Sequence, residues 1–199
     1  MTTQREVLDV TKLPEYAFGP KGLIWWGTTA FMVIEGASFV LLLVTYLFYR
    51  IKAPQWPASI PALTLGTINL LVMLVSVIPN QLSKSAAEHL QVPRARFWMI
   101  VCFAFGVAFC VIRWFEFYAL RTRWDSNAYG SIVWVTLGTH LFQVITQVGE
   151  TAVLIALMFT AHTEPQRLVD ISENARYWYF VVLFCIPIYL FIYWGPRWL

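Results

Sequence analysis

Charge is scarce in this sequence. Of its 199 residues, 13% are Asp, Glu, Lys or Arg, compared with about 25% in an ordinary soluble domain. Hydrophobic residues make up 59% and aromatic residues 17%, a composition typical of chains that span membranes. The formal net charge is only +3 and no basic run is present, so nucleic acid is not an expected partner. We therefore expect an integral membrane protein.

Residues that bind metals and cofactors are also few. None of the three cysteines occurs in a C-x-x-C or C-x-x-C-H pair, so neither a disulfide framework nor c-type haem attachment is indicated. Of the three histidines, His89 lies in a predicted loop, His162 at the end of an apolar stretch, and only His140 within one. Phosphate-binding, dinucleotide-binding and nucleophile-elbow motifs are lacking. We expect no catalytic residue, metal site or cofactor in this chain.

Five apolar stretches approach or exceed the roughly 20 residues needed to cross a bilayer. They cover residues 23–49, 60–78, 97–120, 132–161 and 177–194. Short polar or proline-bearing connections separate them, and none is long enough to form a soluble domain. We predict an all-α, polytopic membrane protein, with a polar N-terminal segment (residues 1–22) and a single five-helix transmembrane domain (residues 23–199).

The distribution of basic residues predicts an orientation. Lysine and arginine are more numerous in the N-terminal segment, the second loop and the fourth loop than in the other connections and the C-terminus. Because cytoplasmic loops carry the excess of positive charge, we expect a cytoplasmic N-terminus and an external C-terminus. The first 22 residues lack the apolar region and cleavage site of a secretory signal, so we expect the first span to direct insertion.

The fourth stretch carries a regular set of polar residues at steps of four, three, four and three. They are Thr136, His140, Gln143, Gln147 and Glu150. At about 100° per residue they share one helix face, which cannot face lipid because its polar groups would lack partners. Three interpretations are open: hydrogen bonding between helices, a path for protons or water in which His140 and Glu150 titrate, and binding of lipid headgroups.

Two further charged positions lie inside apolar stretches. Glu35 is near the centre of the first stretch, where a charge costs roughly 2.5–3.5 kcal/mol. It is either a neutral structural group or a proton-responsive one. Near the end of the third stretch, Arg113 and Glu116 are three residues apart, which suits an ion pair on one helix face. Docking to a partner is the competing interpretation.

Several stretches resemble subunit III of the haem–copper respiratory oxidases, in the same order and spacing. The stretch "WWGTTAFMVIEGASFVLLLVTYLFY" puts Glu35 at the family's intramembrane acidic residue, and "RWFEFYAL" puts Glu116 at its glutamate between aromatic residues. The stretch "NAYGSIVWVTLGTHLFQV" puts His140 at the family's first histidine, and "RYWYFVVLFCIPIYLFIYWG" is similar to its terminal helix. Asn69 and Ser76 stand where the family's corresponding span has asparagine and serine. Five helices match the short bacterial form.

The sequence also departs from the family pattern. Gln143 stands at the family's second histidine, and Arg113 at the glutamine that precedes its aromatic–glutamate motif. In the last helix, Tyr179 replaces a histidine and Val182 an aspartate. We expect the polar network between the helices to be rewired through the glutamines and Glu150 of the fourth stretch.

The resemblance implies an accessory subunit of a membrane-bound terminal oxidase in aerobic respiration. Haem and copper are then expected in the catalytic subunit I, and this chain would contact that subunit, other oxidase subunits and membrane lipids. Its implied tasks are to stabilise the catalytic subunit, to bind phospholipid and to support proton uptake. The candidate lipid- or proton-linked residues are Glu35, Glu116, His140 and Glu150. The expected location is the bacterial inner membrane.

Two alternatives are open. The chain is also compatible with a subunit III-like protein that accompanies nitric oxide reductase. A small proton-coupled transporter is an alternative of another class, which would need a broken helix or a binding site at the membrane midplane. Gly36 and Pro187 are the only sequence features that favour it. The electron donor of an oxidase, cytochrome c or quinol, is not distinguished.

Overall fold

The computed structural model describes residues 14–52, 56, 60–160 and 165–198. A short 3-10 turn precedes five long helices, which run α1 Leu23–Lys52, α2 Leu63–Glu88, α3 Val92–Ala119, α4 Ala128–Met158 and α5 Pro165–Tyr189. A π-helical turn, Leu190–Trp194, and a last helical turn, Gly195–Trp198, continue α5. All five helices are long and apolar enough to cross a membrane, which confirms the predicted all-α class and the number of spans.

The helices extend beyond the predicted spans, most of all in α5. Residues 165–176 were expected in the fourth loop, but from Pro165 onward they form the first turns of α5. A hydropathy pattern cannot reveal these turns, because it detects apolar length and this segment is polar. Residues 1–13 of the predicted N-terminal segment, and His162, lie outside the described residues.

Local signals define several helix ends. The Asn127 side chain accepts a hydrogen bond from the Gly130 backbone N–H at 2.8 Å, which caps the start of α4. Pro93 lies in the first turn of α3, where its missing N–H costs nothing. Between α2 and α3, Leu90 adopts a left-handed backbone (φ 57°), and the Gln91 N–H bonds to the Ala86 carbonyl at 2.8 Å. This tight turn makes α2 and α3 antiparallel neighbours.

Helix α5 lies at the centre of the bundle. It packs against α1, α2 and α4, while α3 packs against α2 and α4. In its most apolar window, α5 has 56% of its residues buried, compared with 11% for α1. Helix α1 therefore lies at the edge, where it contacts α4 and α5. A groove along this edge contains the candidate site.

Neither of the two helices in which the transporter alternative would need a break is interrupted. Helix α1 continues through Gly36, and α5 continues through Pro187 into its π-helical turn. Proline removes one backbone hydrogen bond, and the wider turn that follows keeps both Ile192 and Tyr193 buried. The described residues thus contain no unwound membrane helix of the kind that a transporter site uses.

The ring of Tyr193 lies directly against Gly66 of α2. A Cβ atom at Gly66 would come within 2.5 Å of the ring, whereas a Cβ at Gly138 of α4 would meet no atom within 4 Å. The contact between α2 and the π-helical turn therefore requires glycine at position 66.

Gly66→Ala is expected to destabilise the bundle by about 1–3 kcal/mol, because an added methyl group overpacks this contact. Gly138→Ala is the matched control and is expected to be neutral, or stabilising by up to about 1 kcal/mol, since alanine favours the helix. Thermal unfolding of the two variants in detergent measures the difference. Equal melting temperatures would contradict the assigned contact.

Candidate functional site

The polar residues of α4 fall into two groups. Thr136, His140, Gln143 and Gln147 are buried against the neighbouring helices, whereas Glu150 is exposed. His140 Nε2 lies 3.1 Å from the Val181 carbonyl of α5, and Gln147 Nε2 donates to the Asn174 carbonyl at 3.1 Å. Thr136 bonds within its own helix, to Ile132 O. Most of the polar face therefore contributes hydrogen bonds between helices, as the first of the three interpretations requires.

Glu35 joins three helices. Its Oε2 accepts a hydrogen bond from Gln143 Nε2 of α4 at 2.9 Å and a second from the Tyr177 hydroxyl of α5. Gln143 Nε2 also lies 3.3 Å from the Tyr177 hydroxyl. The carboxylate is thus held by neutral donors rather than by a cation, which suits either a structural or a proton-exchanging group.

A groove of about 650 Å³ runs between α1, α4 and α5. Carboxylates line it, namely Glu35, Glu150, Asp170 and Glu173. Apolar side chains such as Phe31, Phe142 and Leu154 share its walls. The groove therefore combines acidic groups with an apolar surface that lies in the membrane-spanning region.

Arg176 pairs with one of the carboxylates that line this groove. Its guanidinium pairs with Glu173 at 2.6 Å, donates to Thr29 Oγ1 and to the Trp25 carbonyl, both at 2.7 Å, and lies 4.6 Å from the Trp25 ring centroid. A second arginine, Arg167, is 3.7 Å from Asp170. Arg176 thus ties α5 to the start of α1.

The predicted ion pair between Arg113 and Glu116 forms, with 2.6 Å between Nη1 and Oε1. The two residues are 3% and 1% exposed. Glu116 also accepts from Asn69 Nδ2 at 3.1 Å and from the Tyr193 hydroxyl. Docking to a partner was the alternative interpretation; the pair lies inside the bundle, where it links α2, α3 and the turn after α5.

His140 is enclosed by aromatic rings. The centroids of Phe39 and Phe109 lie 6.1 and 5.5 Å from its own, and no atom of the described chain pairs with its Nδ1. No group of three or more His, Cys, Asp or Glu side chains suited to a metal ion occurs among the described residues. His140 is not among the residues that line the groove.

No protein-family model matches the chain. It is 25% identical over 195 residues to cytochrome c oxidase subunit 3 of Synechocystis sp., across 94% of this chain and 83% of that protein. It is 28% identical to a probable cytochrome c oxidase subunit 3 of Mycobacterium leprae, and 27% identical to that of Nocardia farcinica. Each of these two similarities covers 84% of this chain and 85% of the relative. Over most of its length the chain is thus similar to cytochrome c oxidase subunit 3.

The departures from the subunit III pattern have local structural consequences. Gln143, at the second histidine position, donates to Glu35, and Tyr179 donates to Gln81 Oε1. Val182, at the aspartate position, is buried in an apolar cluster. Arg113, at the glutamine position, supplies the buried charge that pairs with Glu116. Each replacement therefore has a partner or an apolar environment that suits it.

Sequence reasoning missed the groove residues of α5. Asp170, Glu173, Asn174 and Tyr177 follow one another at steps of three, one and three, which is the spacing of one helix face. Asp170, Glu173 and Asn174 fell in the predicted fourth loop, whereas Tyr177 began the predicted fifth span. The shared helix face was therefore not expected. Their contacts with α1 and α4 depend on how the helices pack, and no pattern within one helix predicts them.

Glu116→Leu is expected to destabilise the bundle by about 3–5 kcal/mol, because it leaves the Arg113 charge buried without its partner. Arg113→Gln is expected to cost less, since Asn69 and Tyr193 still donate to the Glu116 carboxylate. The double variant Arg113→Gln/Glu116→Leu should recover part of the loss. Detergent unfolding of all four proteins forms a double-mutant cycle. Strictly additive effects would show that the two side chains do not interact.

Proposed function

We propose that this chain is an accessory, cofactor-free subunit of a membrane-bound haem–copper terminal oxidase. Its similarity to cytochrome c oxidase subunit 3 from separate organisms, over most of the chain, is the observation that carries the proposal. Haem, copper and oxygen reduction would then reside in the catalytic subunit I. The five membrane-spanning helices fit a multi-pass protein, and we assign it to a bacterial inner membrane, with its N-terminus in the cytoplasm as the basic residues indicate.

The groove supports a role in binding phospholipid. Its apolar walls suit acyl chains, while polar side chains such as Thr28 and Thr146 line it as well. Helix α1, the least buried of the spans, forms one wall, so the groove opens at the edge of the bundle where lipid is adjacent. A lipid in this position would add contact area between α1 and the rest of the chain.

Two of the four candidates for a lipid- or proton-linked role line the groove. Glu35 and Glu150 line the groove, whereas Glu116 is held in its ion pair and His140 is packed between phenylalanine rings. Glu35 accepts from two neutral donors, so its protonation would not break an ion pair. We propose that Glu35 supports proton uptake by the oxidase, that Glu150 interacts with the molecule that occupies the groove, and that Glu116 and His140 stabilise the bundle.

Gentle extraction of the tagged chain from its native membrane tests the main proposal. We expect a haem-containing complex to co-purify, to show haem absorbance and to consume oxygen with cytochrome c or quinol. The active donor also identifies the oxidase type. Nitric oxide reduction without oxygen consumption would assign the chain to a nitric oxide reductase system instead. A colourless protein that purifies alone would overturn both the oxidase and the nitric oxide reductase assignments.

Glu35→Gln tests the proton-linked role. The amide still accepts a hydrogen bond but cannot bind a proton at neutral pH, so assembly should persist while proton uptake slows or inactivation during turnover accelerates. Tyr177→Phe is the matched control, since it removes one hydrogen bond, worth about 1 kcal/mol, and keeps the carboxylate. If oxygen consumption, proton release and operating lifetime of the Gln variant all equal those of wild type, Glu35 is purely structural.

A further inference from the structure

Glu150 differs from the other carboxylates of the groove. Glu173 and Asp170 have arginine partners at 2.6 and 3.7 Å, and Glu35 has two neutral donors. Glu150 is exposed, its neighbours are Asp170 and the side chain of Asn174, and no ion pair to it occurs in the described part of the chain. A carboxyl group in a membrane-spanning helix normally pairs with another group, and Glu150 has no cationic partner among the described residues.

Gln147 shows independently that the groove lacks a donor. Its side chain lines the groove, the residue is only 1% exposed, and its Nε2 is already used by the Asn174 carbonyl. Its Oε1 has no hydrogen-bond partner within the described ranges, although a buried polar atom without a partner is costly. Glu150 and Gln147 Oε1 both accept hydrogen bonds, so the missing group is a donor, and a cationic donor would also match the Glu150 carboxylate.

The walls of the groove favour a helix as the carrier of that cation. Gly27 lines the groove on α1, and Gly149 precedes Glu150 on α4. A Cβ at either glycine would meet no atom within 4 Å, so both backbones are open to a neighbour. Small residues allow membrane helices to approach closely, and a flexible acyl chain has no comparable need for them.

We propose that a transmembrane helix of a partner subunit packs into the groove between α1 and α4, and that its lysine or arginine pairs with Glu150 and donates to Gln147 Oε1. The inference rests on the proposed function, because the partner is another subunit of the oxidase. At the level of Glu150 the groove is then occupied by this helix. Lipid then fills only the part of the groove that the helix leaves open.

Photo-crosslinking in the native membrane tests the occupant. Benzoylphenylalanine replaces Phe142, a similar aromatic side chain that lines the groove and is 68% exposed. The same replacement of Tyr118, exposed on α3, is the control. We expect the probe at position 142, and not at 118, to crosslink a co-purified subunit within a membrane helix and within about two turns of a lysine or arginine. Adducts with lipid alone would overturn the proposal.

Charge variants of the intact complex test the ion pair. Glu150→Gln should reduce retention of the crosslinked subunit several-fold after detergent extraction, and Glu150→Lys should reduce it further. Asp125→Asn, which removes one negative charge outside the groove, should leave retention unchanged. Replacing the crosslinked basic residue by glutamate should restore binding to the Glu150→Lys chain. Full retention in both Glu150 variants, with haem still co-purified, overturns this inference alone; loss of haem from wild type overturns the proposed function.

Discussion

A polar side chain in a membrane-spanning helix must find its partner within the protein or its complex, because hydrocarbon offers none. This constraint explains why the central helix α5 contacts so many polar groups of its neighbours. The Asn174 carbonyl accepts a hydrogen bond from Gln147 of α4, and the Val181 carbonyl lies 3.1 Å from His140 Nε2 of the same helix. The Tyr177 hydroxyl donates to Glu35 of α1. The helices are held in register by these few bonds as well as by van der Waals packing, because the hydrophobic effect does not drive helix association in lipid.

The two acidic centres satisfy the constraint in different ways. Glu116 is enclosed, and its charge is matched by Arg113 and by the donors Asn69 and Tyr193. Such a buried pair contributes little net stability but is costly to break, so it fixes one arrangement of α2, α3 and the π-helical turn. Glu35 lies at the groove wall without a cation. In this position lipid headgroups, water or another chain can approach its carboxyl group.

The groove is where the bundle is incomplete. Arg176, which pairs with the groove residue Glu173, also has partners in Thr29 and the Trp25 carbonyl. At Glu150 and Gln147 the acceptors outnumber the donors that the described residues supply. A subunit that works only within a complex is expected to show such a surface, since its last polar groups are satisfied by the neighbour. Helix α1 lies at the same edge, and it has the smallest buried share of the five spans, 11%.

Hydrophobic length alone determined the membrane location, the all-α class and the number of helices, because each span needs about 20 apolar residues. The spacing of Arg113 and Glu116 also predicted their ion pair, and four of the five residues in the α4 pattern are buried. Only the tertiary structure decided which polar residues face the core and which face the groove. It showed that Glu150, in regular spacing with His140 and Gln147, is exposed while they are buried. It also revealed that residues 165–176 are helical and bring Tyr177 to Glu35. Periodicity specifies the face of one helix, whereas the partner opposite that face depends on how separate helices pack.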